Sequence, residues 1–188
     1  VGHACRKEVG CVGARLFYGD RTLQHAGVVL GIGGVAGHSH KHMPAAQPGY
    51  FARAQICHNV SAVTGACLVM RKEIFKEVNG FERNLAVAFN DVDLCLRVQQ
   101  KGYLIVFTPF AELFHHESAS RGLDTTAENM QRFQDEHRLM VQRWESNLLN
   151  DRFYSPNLSL SHEDYNYNIG ASMVGRINSA RRSTLQND

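Results

Sequence analysis

The chain has 188 residues, 44% of them hydrophobic and 20% charged, with a formal net charge of +2. That length can bury one sizeable hydrophobic core, and so small a charge excess gives no strong steer toward nucleic acid or membrane; no nucleic-acid partner is expected. Five cysteines (Cys5, Cys11, Cys57, Cys67, Cys95) make no CxxC pair and no even framework, so they read as reduced thiols of a cytoplasmic protein, with Cys67 and Cys95 in the core. No run approaches the roughly 20 apolar residues of a membrane span, and no signal peptide is visible.

The chain opens Val1-Gly2-His3 without a Met, as a fragment or a processed chain would. Val9 to Phe17 alternates small and apolar residues and reads as a strand; Gly19-Asp20 is a turn signal. Leu23 to Ile32 reads as a second strand. Gly31, Gly33, Gly34 and Gly37 then make a loop that is not a dinucleotide fingerprint, because the spacing is wrong and no helical pattern follows. His38, His40 and His42 form an HxHxH run; on a strand they would share one face and suit Zn²⁺, and otherwise they are a His-rich surface loop. Residues 49–60 carry a helix-compatible pattern, and Thr64 to Met70 reads as a buried strand. Lys72 to Asn79 is a short amphipathic helix with Ile74, Phe75 and Val78 inward, closed by Gly80-Phe81.

The densest stretch follows. Asn90 is a candidate N-cap with Asp93 three residues on, so the two resemble a capping box. The helix runs Asp91 to Lys101, with Val92, Cys95, Leu96 and Val98 on its apolar side, and Gly102 stops it. Tyr103 to Phe107 reads as a short buried strand. An eleven-residue helix and a five-residue strand each measure about 16 Å. The segment after Pro109, with His115, His116, Glu117, Ser118, Ser120 and Arg121, should therefore return near Asp91. A carboxylate facing such a loop suits acid–base chemistry on a phosphate-bearing substrate; the plainer alternative is an acid serving the helix dipole and a solvated polar loop.

Thr125 to Leu149 is the longest helical pattern, capped by Thr125 or Thr126, with Met130, Phe133, His137, Met140, Val141, Trp144 and Leu148 on one stripe. That stripe reads as core, with Trp144 as an acceptor platform the minority alternative. Beyond it, 151–188 reads as an irregular arm and a loosely ordered tail whose Arg176, Arg181 and Arg182 could graze an anionic membrane.

Three runs, TGACLVMRKEIFKEVNGF, FNDVDLCLRVQQKGY and HHESASRG, resemble in order and spacing the C-terminal half of a family 2 glycosyltransferase. The likeness is to bacterial O-antigen and polysaccharide enzymes, rhamnosyltransferase-like members included, and covers roughly residues 9–160. It implies an α/β fold, a mixed sheet flanked by helices, as the C-terminal part of a GT-A fold. Residues 1–150 would be its acceptor and catalytic-base half. No Asp-x-Asp metal motif or nucleotide-binding half lies upstream; Asp91-Val92-Asp93 spells Asp-x-Asp but opens a helix and reads as the base motif.

The resemblance implies an inverting transfer of a sugar from a nucleotide diphosphate sugar to a hydroxyl of a glycan or polyprenyl-linked saccharide. Asp91 would be the base, with Asn90 where the family carries Glu. His115, with His116 as second choice, would hold Mg²⁺ or Mn²⁺ or a phosphate. Ser118, Ser120 and Arg121 would bind the donor diphosphate, and Thr64, Gly65, His38 and Asn90 would line the acceptor side. The location implied is cytoplasmic, with peripheral contact at the inner face of the membrane. Two alternatives stay open: a non-catalytic binding or assembly module, and a zinc hydrolase built on His38, His40 and His42. A truncated sheet would expose an edge, so a homo-oligomer is expected.

Overall fold

A computed structural model describes residues 1–116 and 126–168. Its centre is strand β1 (Val9–Phe17), buried at all nine positions. Burial on both faces requires small residues wherever a neighbour comes close. A Cβ on Gly10 would lie 2.2 Å from Val98 Cγ1, and one on Gly13 would lie 2.4 Å from Val63 Cβ.

Strands β2 (Leu23–His25), β3 (Val28–Leu30), β4 (Ala36–His38), β5 (His58–Asn59), β6 (Leu68–Met70) and β7 (Leu104–Phe114) follow in chain order. The main sheet is ordered β2-β1-β7-β5, and β6 also pairs with β1. β7 runs parallel to β1 along its length. The other strands are antiparallel: β6 beside Cys11–Gly13, β2 beside Leu16 and Phe17, and β5 beside Val106 and Phe107. β3 and β4 form a separate antiparallel ribbon.

Helix α1 (Lys72–Glu77) buries Ile74 and is followed by buried Val78, while Phe75 is only half-buried. Helix α2 (Asn90–Gln100) buries Val92, Leu94, Cys95, Leu96 and Val98. It ends as its sequence dictates. Gly102 takes φ +89°, its N–H donates to Gln99 O at 2.8 Å, and the Tyr103 N–H donates to Val98 O at 3.4 Å, which is a Schellman closure. Helix α3 (Ala127–Leu149) is capped by Thr126, whose side chain accepts from Asn129 N. No helix among the described residues is long and apolar enough to cross a membrane.

Several expectations are corrected. Asn90 is not the N-cap: Phe89 holds that place in a left-handed conformation, and Asn90 is the first helical residue. Asp93 caps nothing. It is fully buried and accepts from Arg97 Nε, Arg143 Nη1 and Trp144 Nε1 at 2.8, 2.9 and 2.9 Å. It therefore joins α2 to α3. The run from Leu23 to Ile32 breaks into β2 and β3 around Gly27, which has φ +97°. Residues 49–60 form only a 3₁₀ turn (Tyr50–Ala52) and β5, because Phe51 and Ala52 take positive φ. The run from Thr64 to Met70 is a 3₁₀ turn (Gly65–Cys67) followed by β6, neither of them buried, so Cys67 is not core.

Strand β7 continues through Pro109. Its register jumps from Ala14↔Thr108 to Arg15↔Glu112, so the intervening residues bulge, and a proline without an N–H is tolerated there. On α3 only Met140, Trp144 and Leu148 enter the core; Met130 and Phe133 are 53% and 49% exposed.

The segment after α3 is tied in by buried Asp151, which accepts from Leu30 N, Ser61 Oγ and Phe153 N at 2.7, 2.6 and 2.7 Å. Leu158 and Tyr165 then pack with Val29 and Ile32 in a small cluster apart from the main core.

Candidate functional site

Asp91 opens the first turn of α2 and is half-buried. Its Oδ1 accepts from the Val92 N–H at 2.8 Å, and its Oδ2 accepts from the Gly65 N–H at 2.7 Å. A carboxylate offers about four lone-pair directions, so two remain for a substrate. The Gly65 amide is directed by its own turn. Thr64 caps that turn, its Oγ1 accepting from Ala66 N at 3.3 Å, and the amide between them points at Asp91. A Cβ on Gly65 would meet Asp91 Cβ at 3.5 Å, an ordinary contact. Steric approach therefore does not demand glycine there.

Behind the turn lies His25, on β2 and fully buried. Its Nε2 is 3.4 Å from Thr64 N and 3.3 Å from Gly27 N, and its Nδ1 is 2.9 Å from His38 Nδ1. Burial, and then the neighbouring His38, push its pKa well below 6.5. Asp91, Gly65, Thr64 and His38, all candidates from sequence, thus fall on one hydrogen-bonded path through His25. No local pattern singles out His25, because its partners at the site, His38 and Thr64, are 13 and 39 residues away.

The HxHxH run does not make a common face. His38 ends β4 and meets His25. His40 and His42 take positive φ. His40 lies against Ser39 Oγ at 2.7 Å, accepts from Tyr50 N at 2.9 Å and stacks on Tyr165. Burial first, then Arg53 and His58, lower its pKa to about 4. His42 stacks on Tyr18. Among the described residues no three His, Cys, Asp or Glu side chains gather as a metal site, and the zinc arrangement drops out.

His115 follows β7 directly. Its Nδ1 lies 2.8 Å from Gln24 Oε1, and its carbonyl accepts from Gln24 Nε2 at 3.4 Å. The carbonyl orients the Gln24 amide, which leaves Oε1 to accept from Nδ1–H. Nε2 is then the lone-pair nitrogen, the state a metal ligand needs. His116 is exposed beside Gly19.

Among the described residues no hydrogen bond joins His115 to Asp91. The equal-length premise is corrected: β7 has eleven residues, not five, and spans about 36 Å against about 16 Å for α2. Asn90 is half-buried at the helix start. Ser118, Ser120 and Arg121 lie outside the described residues.

Two further arrangements escaped sequence reading. Glu136 on α3 is buried and accepts from Val87 N and Ala88 N at 3.2 and 2.6 Å, holding the loop that leads into α2. Trp144 is buried against Asp93 and is no exposed platform. It helps line a cavity of about 630 Å³ with Phe81, Arg97, Gln100 and Arg143. Positions 97 and 100 are rotated by roughly 120° and 180° from position 91 around α2, so this cavity is not the surroundings of Asp91.

The family described as glycosyl transferase family group 2 matches residues 15–167. The chain belongs to this family. Its mixed sheet flanked by helices is that of a GT-A-type glycosyltransferase domain. It is 52% identical over 166 residues to an uncharacterized protein, y4gI, of Sinorhizobium fredii, covering 88% of this chain and 18% of that one. It is 40% identical over 129 residues to the O-antigen biosynthesis protein RfbC of Myxococcus xanthus, covering 68% and 10%. Over 65 residues it is 38% identical to the N-acetylglucosaminyl-diphospho-decaprenol L-rhamnosyltransferase of Mycobacterium tuberculosis, covering 35% and 21%. The chain thus spans about a fifth or less of the length of these relatives.

Proposed function

We propose that this glycosyltransferase chain serves an inverting sugar transfer from a nucleotide diphosphate sugar to a hydroxyl of a glycan or lipid-linked glycan, in the making of a cell-surface polysaccharide. The carrying observation is Asp91, a half-buried carboxylate held at both oxygens by backbone N–H groups. Those bonds fix one rotamer, so the base is aimed before the acceptor arrives. The acceptor O–H gives its proton to Asp91 as its oxygen bonds the anomeric carbon. The bond to the diphosphate breaks on the opposite face, and its electron pair leaves with the diphosphate. Attack opposite the leaving group inverts the centre.

RfbC and the rhamnosyltransferase lend the substrate class by their names. His115, with Nε2 as its lone-pair nitrogen, fits as one ligand of a Mg²⁺ or Mn²⁺ ion; a phosphate contact would need that nitrogen protonated as a donor. A bound ion would offset the charge of the leaving diphosphate. Asn90, Thr64, Gly65 and His38 would face the acceptor, and Ser118, Ser120 and Arg121 the diphosphate. Work at the cytoplasmic face of the membrane fits a lipid-linked acceptor.

The test is transfer by Asp91→Asn, which keeps an acceptor oxygen but not the base. Activity should fall by about 10²- to 10⁴-fold; near-wild-type turnover refutes the role. Titration with UDP, GDP and dTDP, with and without Mn²⁺, should show metal-dependent binding that weakens in His115→Ala. A second reading is a binding or assembly module without a donor site. It predicts no binding of any of the three nucleotides.

A further inference from the structure

We infer that His25 is a positioning residue: its buried imidazole fixes the turn that presents the Gly65 amide to Asp91 and, on its other side, fixes the tautomer of His38. The importance of this for catalysis rests on the reading of Asp91 as the base. The coupling itself rests on hydrogen bonds alone.

The argument is a proton count. Nε2 of His25 faces two backbone N–H donors, of Gly27 at 3.3 Å and Thr64 at 3.4 Å. It therefore carries no proton, and the neutral ring carries it on Nδ1. Nδ1 lies 2.9 Å from Nδ1 of His38. Two ring nitrogens at that distance share one proton, and here it is the one on His25. His38 Nδ1 accepts, so the proton of the neutral His38 ring sits on Nε2, and that nitrogen is set as a donor. A proton added to His25 Nε2 would face two N–H groups. One added to His38 Nδ1 would face another N–H. Burial of His25 disfavours the first in the same sense.

From His25 the constraint passes along the chain. The Thr64 amide is held by Nε2 and the Gly65 amide by Asp91 Oδ2. Two consecutive peptide units then have their planes set between a buried strand and the start of α2. Phe107 packs edge-on against the His25 ring, with centroids 6.5 Å apart, and restrains it from the sheet. Asp91, half-exposed on a first helical turn, would otherwise choose among rotamers; an amide delivered at 2.7 Å selects one.

The experiment is NMR on the chain carrying ¹⁵N label, in wild type, His25→Leu and His25→Gln. In wild type at neutral pH, His25 should be the Nδ1–H tautomer and His38 the Nε2–H tautomer. Gly65 amide exchange should speed up about tenfold or more in His25→Leu, and return to within about twofold in His25→Gln, whose acceptor oxygen reaches the place of Nε2. The Gly102 amide, bonded at the far end of α2, should not change in either variant. Gly65 unchanged in His25→Leu, or Gly65 and Gly102 loosened alike, overturns the inference. If His25→Leu does not fold, the wild-type tautomer decides, because a proton on His25 Nε2 forbids the bond to Thr64. Asp91→Asn with full transfer activity would sink the base while leaving this coupling intact, so the two failures are distinguishable.

Discussion

Lowering the pH should unfold this protein through histidines that are buried neutral. His40 is the one whose magnitude can be worked out. Its ring is held by Ser39 and the Tyr50 amide and stacked on Tyr165, and its pKa falls from 6.5 to about 4 through burial, then Arg53 and His58. The sign follows directly. Between the two values the unfolded chain binds a proton that the folded chain refuses, so stability rises with pH, and is lost as pH falls from about 6.5 to about 4. Each pH unit well inside that window is worth about 1.4 kcal/mol. Taking both ends of the titration into account, His40 alone costs about 2 kcal/mol between pH 7 and pH 5. His25 and His58 are pushed in the same direction, mainly by burial, and add to the loss.

The assay is urea unfolding followed by fluorescence of Trp144, the sole tryptophan, which is buried, under a two-state treatment. His40→Asn is the informative variant, because Asn tolerates the left-handed φ of +58° found there. It should lose about 1–2 kcal/mol at pH 7, from the missing ring contacts and amide acceptor. Its further loss on going to pH 5 should be smaller than that of wild type by about 2 kcal/mol. If wild type and variant lose the same free energy between the two pH values, the reasoning is refuted.

Three other outcomes are expected. Glu136→Gln leaves one of the Val87 and Ala88 amides facing an NH₂ group, and should cost about 1–3 kcal/mol in the same unfolding assay; no loss would mean the carboxylate does not hold that loop. Gly13→Ala puts a Cβ 2.4 Å from Val63 Cβ and should destabilise by about 1–3 kcal/mol or more, whereas Gly2→Ala, with nothing within 4 Å, should be neutral; equal stabilities would contradict the close approach. Beyond β5, the outer edge of β7 is unpaired among the described residues from Thr108 onward, and Phe110, Leu113 and Phe114 are 84%, 44% and 54% exposed. Sedimentation velocity should therefore show self-association that rises with concentration and weakens in Phe110→Lys; a concentration-independent monomer would count against it.

What the sequence made legible was whatever closes over a few residues. The end of α2 is set by Gly102 and the two amides beside it, and its expected and observed ends differ by one residue. β1 announces itself through small residues alternating with apolar ones, because it is covered on both faces. Runs whose conformation depends on positive φ were misread. Nothing about Phe51 and Ala52 favours a left-handed backbone, and only tertiary context puts them there. Pro109 misled in the other direction: it cannot serve a regular ladder, yet it sits in a bulge after which β7 resumes.

The candidate site shows the same division. Asp91 and the Thr64-Gly65 turn came to notice through family likeness, and the structure sets them 2.7 Å apart at one hydrogen bond. Asp93, two residues on, looked equivalent in sequence and is chemically opposite. It is fully buried, and two arginines and an indole N–H occupy its oxygens. Burial leaves no access for a substrate there. Only α3, fifty residues away, separates the two carboxylates into one that ties helices together and one that faces outward. The histidines divide likewise. The visible HxHxH spacing dissolves into three unrelated contacts, while His25, inside an apolar run with no spacing to mark it, links the turn, the carboxylate and His38. Spacing along the chain reports a shared face only where the backbone is regular, and between His38 and His42 two positive-φ residues remove that regularity.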